Sequence, residues 1–365
     1  MLRILLPVLA LGFAIDPAFA AAKLPKADRV PQAPTPEQVV LVREGIRLHD
    51  RRNFEGAIAK YQQVLAQNPW EVNALHELAL SYFESKDYRR ALDTARLGAQ
   101  CQSQILAGFY ATIGSALDEL GRGKEAIETY RAAIKLNPRM GLLHYNLALS
   151  LRRAGKPAEA RESVQQAIQC DPARPSGHAV LGAIYQDMGY RVPAILAYSR
   201  FLELEPDSER SAIILTKLEG LLTQGVGKGK QPGEVTVLIS PTPKGRNGEG
   251  DFTGAEMMMS IVLAAGAIAK PDAAAKAPES PFQKLVSLYT SMGESLNASK
   301  PQGGFAATFY APYFAALIKA GHAEAFVAHT WKAGKVEGAS GWAEANEAKT
   351  EDFLAWSRAY RWPVD

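Results

Sequence analysis

The sequence has few of the residues that catalytic and metal sites concentrate. Its 365 residues include 2 cysteines and 6 histidines. No Ser/His/Asp, Cys/His or paired-carboxylate arrangement can be identified from the linear spacing of its side chains. The sequence therefore predicts no cofactor and no metal, and it favours a non-enzymatic protein.

The sequence also has little excess of one sign of charge over the other. The formal net charge is +3, and no basic stripe interleaved with aromatic residues is present. Both features argue against nucleic acid as a partner. The length and the 47% hydrophobic content suit a soluble protein of two domains.

The sequence lacks a hydrophobic run long enough to span a membrane, and the run at the N-terminus has the features of a signal peptide. Arg3 precedes an apolar stretch from Ile4 to Ile15, and Ala18-Phe19-Ala20 has the form of a signal-peptidase site. The alternative, a membrane anchor, is disfavoured because a bilayer requires about 20 apolar residues. Residues 1–20 are thus expected to be a signal peptide cleaved after Ala20. The mature protein is then periplasmic or secreted and has no stable membrane span.

What the sequence does have is a repeat. An alanine recurs at intervals of 34 or 35 residues, and a small residue stands twelve positions before each alanine. A proline that ends a helix follows in four of the five units. If these alanines are place 20 of a 34-residue unit, the small residues occupy place 8. The alanines are Ala57, Ala91, Ala126, Ala160 and Ala194, and the small residues are Gly45, Ala79, Gly114, Ala148 and Gly182.

The fifth unit, His178 to Pro206, contains Leu181-Gly182, Tyr185, Ala194 and Tyr198. This pattern resembles that of the tetratricopeptide repeat family, with His in place of the usual Trp and Tyr in place of Phe. The resemblance covers about Gln38 to Ser208. It implies an all-α fold in which residues 37–222 form five repeats and a capping helix, stacked as a right-handed α-solenoid with a concave and a convex face.

The remaining segments differ in composition. Residues 21–36 are rich in Pro, Lys and Ala and are expected to be a disordered, extended lead-in. Residues 223–250 are expected to be a glycine-rich linker, in which Val235 to Ile239 is either a strand or a run lying across a helical surface. Residues 251–365 are expected to form a small helical C-terminal domain with an aromatic core. This domain either packs on the end of the solenoid or supplies a second binding surface.

The resemblance also implies a binding groove along the first helix of each repeat, suited to a protein or peptide partner with apolar anchors. Arg152 and Arg153 would meet a partner carboxylate, unless they are solvated charges or form ion pairs within the solenoid. The groove residues expected to contact the partner are Val42, Ile46, His76, Leu80, Phe83, Asp118, Tyr145, Leu149, Arg152 and Arg153.

Several other residues have two interpretations. His144 and His178 occupy place 4 of consecutive repeats, about 10 Å apart, and are expected to be core residues and not metal ligands. Cys101 and Cys170 lie two repeats apart, too far for a disulfide, and are expected to be free, buried thiols. The run Met257–Met259 is interpreted as core filling in preference to a plastic binding surface.

These observations favour an exported, non-enzymatic scaffold that binds a peptide in the concave groove. One alternative is an enzyme or ligand-binding protein whose site lies in residues 251–365, with the repeats as a docking module. Another is an assembly factor that self-associates. The sequence determines neither the partner nor the oligomeric state.

Overall fold

A computed structural model describes residues 25–228, 235–237, 248–268 and 279–364. The predicted signal peptide, residues 1–20, and most of the predicted glycine-rich linker lie outside the described residues. So do Leu238 and Ile239, at the end of the predicted apolar run.

Helices α1 to α10 form the five predicted repeats, each an antiparallel pair of a first helix (A) and a second helix (B) that pack on each other. The capping helix α11 follows the fifth pair, as predicted. The bounds are α1 Pro36–Asp50, α2 Phe54–Leu65, α3 Val72–Glu84, α4 Tyr88–Gly98, α5 Leu106–Glu119, α6 Gly123–Leu136, α7 Gly141–Arg153, α8 Pro157–Cys170, α9 Pro175–Asp187, α10 Arg191–Leu204 and α11 Glu209–Thr223.

Local sequence explains where these helices begin and end. At the start of α1, Thr35 and Gln38 form a reciprocal capping box. Every A helix is followed, at place 15, by a residue with a left-handed backbone. In repeats 3, 4 and 5 this residue is a glycine, with φ of 75°, 71° and 79°. Repeats 1 and 2 place Arg52 and Lys86 there, at φ of 60° and 65°.

In repeats 1, 3 and 5, place 8 of helix A packs against place 24 of helix B. Glycine at place 8 is paired with tyrosine at place 24, and alanine at place 8 is paired with a smaller residue. The pairs are Gly45–Tyr61, Ala79–Ala95, Gly114–Tyr130, Ala148–Val164 and Gly182–Tyr198. A Cβ atom added at Gly182 would lie 2.5 Å from Cδ1 of Tyr198. The two places therefore share a fixed volume, as expected for close-packed interiors.

The C-terminal region is helical, as predicted. Its helices are α12 Thr253–Ile268, α13 Pro281–Ser299, α14 Ala311–Lys319, α15 Ala323–Thr330, α16 Ala339–Ala345 and α17 Glu347–Ala359. A π-helix, Ala306–Tyr310, precedes α14, and a 3-10 helix, Lys332–Gly334, follows α15. Pro312 is the second residue of α14, where a proline is tolerated, and the π-helix ends two residues before it.

The described linker residues contain a small antiparallel hairpin, which the predicted all-α fold did not include. Strand β1, Val226–Lys228, pairs with β2, Val235–Val237, in the register Val226 to Val237. The strand interpretation of the Val235 run is therefore correct for its first three residues. Both strands contact α12.

The chain divides into two compact units, Met1–Asn137 and Pro138–Asp365. A boundary at residues 223–250 with a separate domain at 251–365 is wrong. Every residue of α10 from Arg191 to Glu203 is buried, because the π-helix and α15 pack on it, and the 3-10 helix packs on α11. The C-terminal helices and the last two repeats therefore share one core.

The expectation of a disordered lead-in over residues 21–36 is corrected for residues 25–35, whereas residues 21–24 lie outside the described part of the chain. Residues 25–35 are extended but attached to the first three repeats. Arg29 pairs with the backbone of Gln100 and Gln102 at 2.9 and 2.8 Å, and Asn68 Nδ2 donates to the Gln32 carbonyl at 3.2 Å. Hydrogen bonds to neighbouring loops offset the entropy lost by a segment that buries little apolar surface of its own.

Candidate functional site

Helix α7 of the second unit presents an apolar stripe beside α9, its neighbouring A helix. Leu142, Tyr145 and Leu149 follow each other at intervals of three and four residues, so they share one face of the helix. Leu142 is 37% exposed, and the other two are half-buried. The structure therefore brings Tyr145 and Leu149, both predicted groove residues, onto one accessible surface.

The predicted arginine pair lies at the C-terminal end of that helix. Both arginines are exposed. Arg152 forms an ion pair with Asp187 of α9, with an N–O distance of 2.9 Å. The ion-pair interpretation thus holds for Arg152. Its side chain is 42% exposed and that of Asp187 is 55% exposed, so the pair contributes little to stability, about 0–1 kcal/mol.

A cavity of about 200 Å³ opens beside the N-terminal end of the α7 stripe. Leu142 and Tyr145 line it together with the turn that leads from α8 to α9. Arg139 and Arg174 contribute cationic groups, and Cys170 contributes a thiol. Apolar groups, two arginines and the Asp171 carboxylate therefore meet at one end of the predicted groove.

In the first unit, the predicted groove residues lie on the A helices α1, α3 and α5. Ile46, Leu80 and Phe83 are half-buried, and the Phe83 ring contacts the Tyr88 ring edge-on with centroids 5.4 Å apart. Asp118 is half-buried near the end of α5. These four side chains remain partly accessible to a partner.

Two predicted groove residues of the first unit serve mainly in packing. Val42 is buried, with 8% of its surface exposed, so its assignment as a partner contact is wrong. Its side chain belongs to the core because a residue at the edge of the apolar face of an amphipathic helix is buried when a neighbouring helix covers that edge. His76 packs edge-on against Phe109 of the next repeat, with ring centroids 5.3 Å apart, and keeps a side-chain exposure of 20%.

A buried polar cluster joins α10 to the C-terminal helices, and linear spacing did not reveal it. Oε1 of Glu203 lies 2.7 Å from Nη1 of Arg200, and it accepts hydrogen bonds from Tyr313 at 2.5 Å and from Ser357. Burial, followed by the nearby Glu203 charge, raises the pKa of Tyr313. The phenol therefore stays protonated and donates. The Arg200 guanidinium also lies 4.8 Å from the Trp362 ring centroid.

A second buried ion pair attaches the segment before α12 to repeat 4. Nε of Arg161 lies 3.2 Å from Oε1 of Glu249, with side chains 4% and 2% exposed. Glu249 Oε2 accepts from the Ala306 amide at 2.8 Å, and Gln165 donates to Oε1 at 3.0 Å. The B helices of repeats 4 and 5 therefore each bind the C-terminal region through a paired charge.

The two place-4 histidines are core residues, as predicted. His144 and His178 are 8% and 0% exposed. Each ring donates from Nε2 to the carbonyl of the proline six residues earlier, at 2.8 and 2.9 Å. The Nδ1 atom of His178 then accepts from the Tyr310 hydroxyl at 2.6 Å. A neutral histidine is the form that satisfies both bonds.

We expect His178 to make stability depend on pH. Burial, reinforced by the Arg200 charge, lowers the pKa of His178 from 6.5 to about 3. Between these values the unfolded chain binds more protons than the folded chain, so stability falls as pH falls. Relative to His178→Leu, which matches Leu41 and Leu75 at place 4, the wild type should lose about 1.5 kcal/mol of unfolding free energy between pH 6.5 and 5. Urea unfolding at the two pH values measures this difference, and equal losses in both proteins would contradict it.

Two further predictions are corrected in part. Both cysteines are free, as predicted, but only Cys101 is buried. Cys170 is exposed, because it is the last residue of α8. Of the three methionines, Met259 is in the core, whereas Met257 and Met258 are 50% and 39% exposed. Core filling is thus right for one of the three.

No helix in the part of the chain that the structure describes combines the length and apolar character needed to cross a membrane.

Comparison with known proteins agrees with the repeat. A family model described as tetratricopeptide repeat matches residues 42–104 and 112–175. No curated protein matches the chain.

Solved structures of repeat proteins are similar to about half of the chain. A thermophilic TPR protein of Thermus thermophilus is 21% identical, spans 51% of this chain and 98% of its own, and has a TM-score of 0.43. The pilF protein of Pseudomonas aeruginosa is 21% identical over 50% of this chain and 86% of its own, with a TM-score of 0.45. YrrB, a TPR protein with an unusual peptide-binding site, is 17% identical over 50% and 94%, with a TM-score of 0.39.

The family match agrees with two features of the chain. These are its 34-residue period and its paired helices, in which the residues at places 8 and 24 are matched in size. Tetratricopeptide repeats are, in general, protein-interaction modules. The repeat region, α1 to α10, is therefore built of tetratricopeptide repeats.

Proposed function

We propose that this protein is an exported, non-enzymatic scaffold that binds a partner peptide along the A helices of its repeats. The observation that carries the proposal is the enclosure of α10. The B helix of the fifth repeat is buried along its length, whereas its A helix, α9, keeps Gln186 and Asp187 exposed. The A-helix surface is therefore the accessible side of this repeat.

The chemistry of that surface suits a peptide with apolar anchors and a carboxylate. Leu142, Tyr145 and Leu149 supply the apolar contacts on α7, and Arg152 lies beyond them. A partner carboxylate would replace Asp187 at Arg152. The exchange is inexpensive because an exposed ion pair contributes only about 0–1 kcal/mol. In the first unit, Ile46, Leu80 and Phe83 are the corresponding apolar contacts.

The packing of the C-terminal region supports the scaffold over an enzyme with a site in residues 251–365. The aromatic side chains contact one another. The Trp362 ring stacks on Phe309 and Tyr313 with centroids 4.6 and 4.7 Å apart, and Phe326 contacts both Phe314 and Phe353. A filled aromatic core that buries α10 accounts for these residues without a substrate.

A position-dependent crosslinking experiment tests the proposal. A photo-crosslinking amino acid is placed at Leu142 or Leu149, and in a control at Ile213 of α11, which is 61% exposed. One partner should crosslink from Leu142 and Leu149 and not from Ile213, and Leu149→Asp should abolish that product from Leu142. Crosslinking that is strongest from Ile213, or that survives Leu149→Asp, would contradict the proposal.

The predicted export is tested separately. The N-terminal sequence of the protein recovered from the periplasm or culture medium should begin at Ala21. A full-length chain retained in the cytoplasm would contradict export and leave the groove proposal standing.

A further inference from the structure

The extended N-terminal segment occupies a specific site on the first unit. We name residues 25–35 the N-terminal strap. The backbone of Arg29 pairs in parallel with Cys101. The Arg29 amide donates to the Gln100 carbonyl at 2.9 Å, and the Gln102 amide donates to the Arg29 carbonyl at 2.8 Å. The strap therefore adds a short strand to the loop that joins α4 to α5.

The irregular length of repeat 2 creates the edge that accepts this strand. Residues 99–105 separate α4 from α5, whereas residues 171–174 separate α8 from α9. The second repeat contains one residue more than the 34-residue period. Its exit loop consequently has extended backbone groups outside any helix, and a neighbouring strand can pair with them.

Side chains on both sides of the loop recognise the strap. The Arg29 guanidinium lies 4.1 Å from the centroid of the Trp70 ring, a cation–π distance, and its Nε donates to Oε1 of Gln100 at 3.2 Å. Asn68, which is 4% exposed, donates to the Gln32 carbonyl, and Tyr110, which is 3% exposed, donates to the Pro25 carbonyl at 3.3 Å.

These contacts define a strap site made of Asn68, Trp70, Gln100, Gln102 and Tyr110. Two buried side-chain donors point at backbone carbonyls of the strap, and a buried donor without an acceptor is unfavourable. Val30, the neighbour of Arg29, is 80% exposed and contributes nothing comparable. The polar contacts of the site are therefore made to the strap's extended backbone and to one arginine.

We infer that this loop edge is a peptide-binding site for extended, arginine-bearing segments, which the chain's own strap occupies in cis. It is distinct from the proposed groove, because none of its five residues is a predicted groove residue and four of them lie in turns from a B helix to the next A helix. A tethered segment has a high effective concentration at its site, in the millimolar range for short linkers. A free peptide of the same chemistry consequently binds only when the strap is weakened.

Release of the strap is measured first, in the full chain. Trypsin cleaves after arginine in extended, unpaired backbone, so pairing protects the bond between Arg29 and Val30. Trp70→Ala should raise the rate of cleavage there about two- to fivefold, because the cation–π contact of an exposed arginine is lost. Gln32→Ala is the matched control, since the site uses only the backbone of Gln32, and its rate should be that of the wild type. An unchanged rate in Trp70→Ala would overturn the inference.

Binding in trans is measured second, with a fluorescent peptide of residues 25–34 as the probe. Arg29 is exposed, so Arg29→Ala weakens the strap without disturbing the core. The peptide should bind the Arg29→Ala chain at least tenfold more tightly than the wild-type chain. Binding should be lost with a peptide that carries the same Arg29→Ala change, and with the Arg29→Ala/Trp70→Ala chain.

Two results would overturn the site. The first is a peptide that does not bind the Arg29→Ala chain. The second is a peptide that binds equally well with and without Trp70, which would show adsorption independent of the site.

Discussion

Replacing Glu203 by alanine is expected to lower the free energy of unfolding by about 3–5 kcal/mol. Its carboxylate is the acceptor for Arg200, Tyr313 and Ser357, and its side chain is 2% exposed. Removing it leaves the Arg200 charge in the core, where Nε already has no hydrogen-bond partner among the residues that the structure describes. An unpaired buried charge is among the most unfavourable changes that a single substitution can make.

Glu205→Ala is the matched control for this substitution. Glu205 pairs with Arg210, but the arginine side chain is 54% exposed and the carboxylate is 22% exposed. Water and salt screen such a pair, so the loss should be about 1 kcal/mol or less. Urea unfolding followed by circular dichroism gives both values. Equal losses for the two variants would show that Glu203 is not held in a buried pair.

The loss of stability caused by Glu203→Ala should also be confined to one of the two units. Glu203 lies on α10, and its three partners lie on α10, α14 and α17, all within Pro138–Asp365. Hydrogen exchange should therefore accelerate in α10, α14 and α17. Protection that falls first in α1 to α4, within the other unit, would contradict this assignment.

The effect of Gly182→Ala on the free energy of unfolding is expected to depend on the residue at position 198: destabilising with tyrosine there and stabilising with valine. In the wild type the new Cβ would lie 2.5 Å from Cδ1 of Tyr198, and such overpacking costs about 1–3 kcal/mol. In a Tyr198→Val background the ring is absent, and the pair becomes Ala–Val, as in Ala148–Val164 of repeat 4. The same substitution should then stabilise by about 1 kcal/mol, the difference in helix propensity between alanine and glycine.

A double-mutant cycle measures this coupling. Tyr198→Val alone should cost about 2–4 kcal/mol, because it leaves a cavity and removes the hydrogen bond from the Tyr198 hydroxyl to Gln186, which is 3.0 Å long. The double variant should be more stable than Tyr198→Val alone. Strict additivity of the two single changes would show that places 8 and 24 do not share a volume, because contacting residues couple by about 0.5–3 kcal/mol.

The sequence by itself determined the repeats, since their signals are local. Alanine at place 20, a small residue at place 8 and proline at the end of the unit act within one helix or between two adjacent helices. The start of α1 at Thr35-Pro36 and the capping helix α11 after Ser208 follow from residues within a few positions. The core positions of His144 and His178 follow from place 4 of the repeat, which the family resemblance makes a packed position.

The tertiary structure alone decided which surfaces are covered, because that depends on residues far apart in the chain. Glu203 meets Ser357 across 154 positions, and His178 meets Tyr310 across 132. No local pattern identifies these partners. Contacts between distant residues likewise determine the unit boundary at Asn137–Pro138, the burial of Val42 and the attachment of the N-terminal strap. They also determine that Cys170 and two of the methionines are exposed. Local periodicity specifies which face of a helix is apolar, whereas only the packed chain specifies what that face contacts.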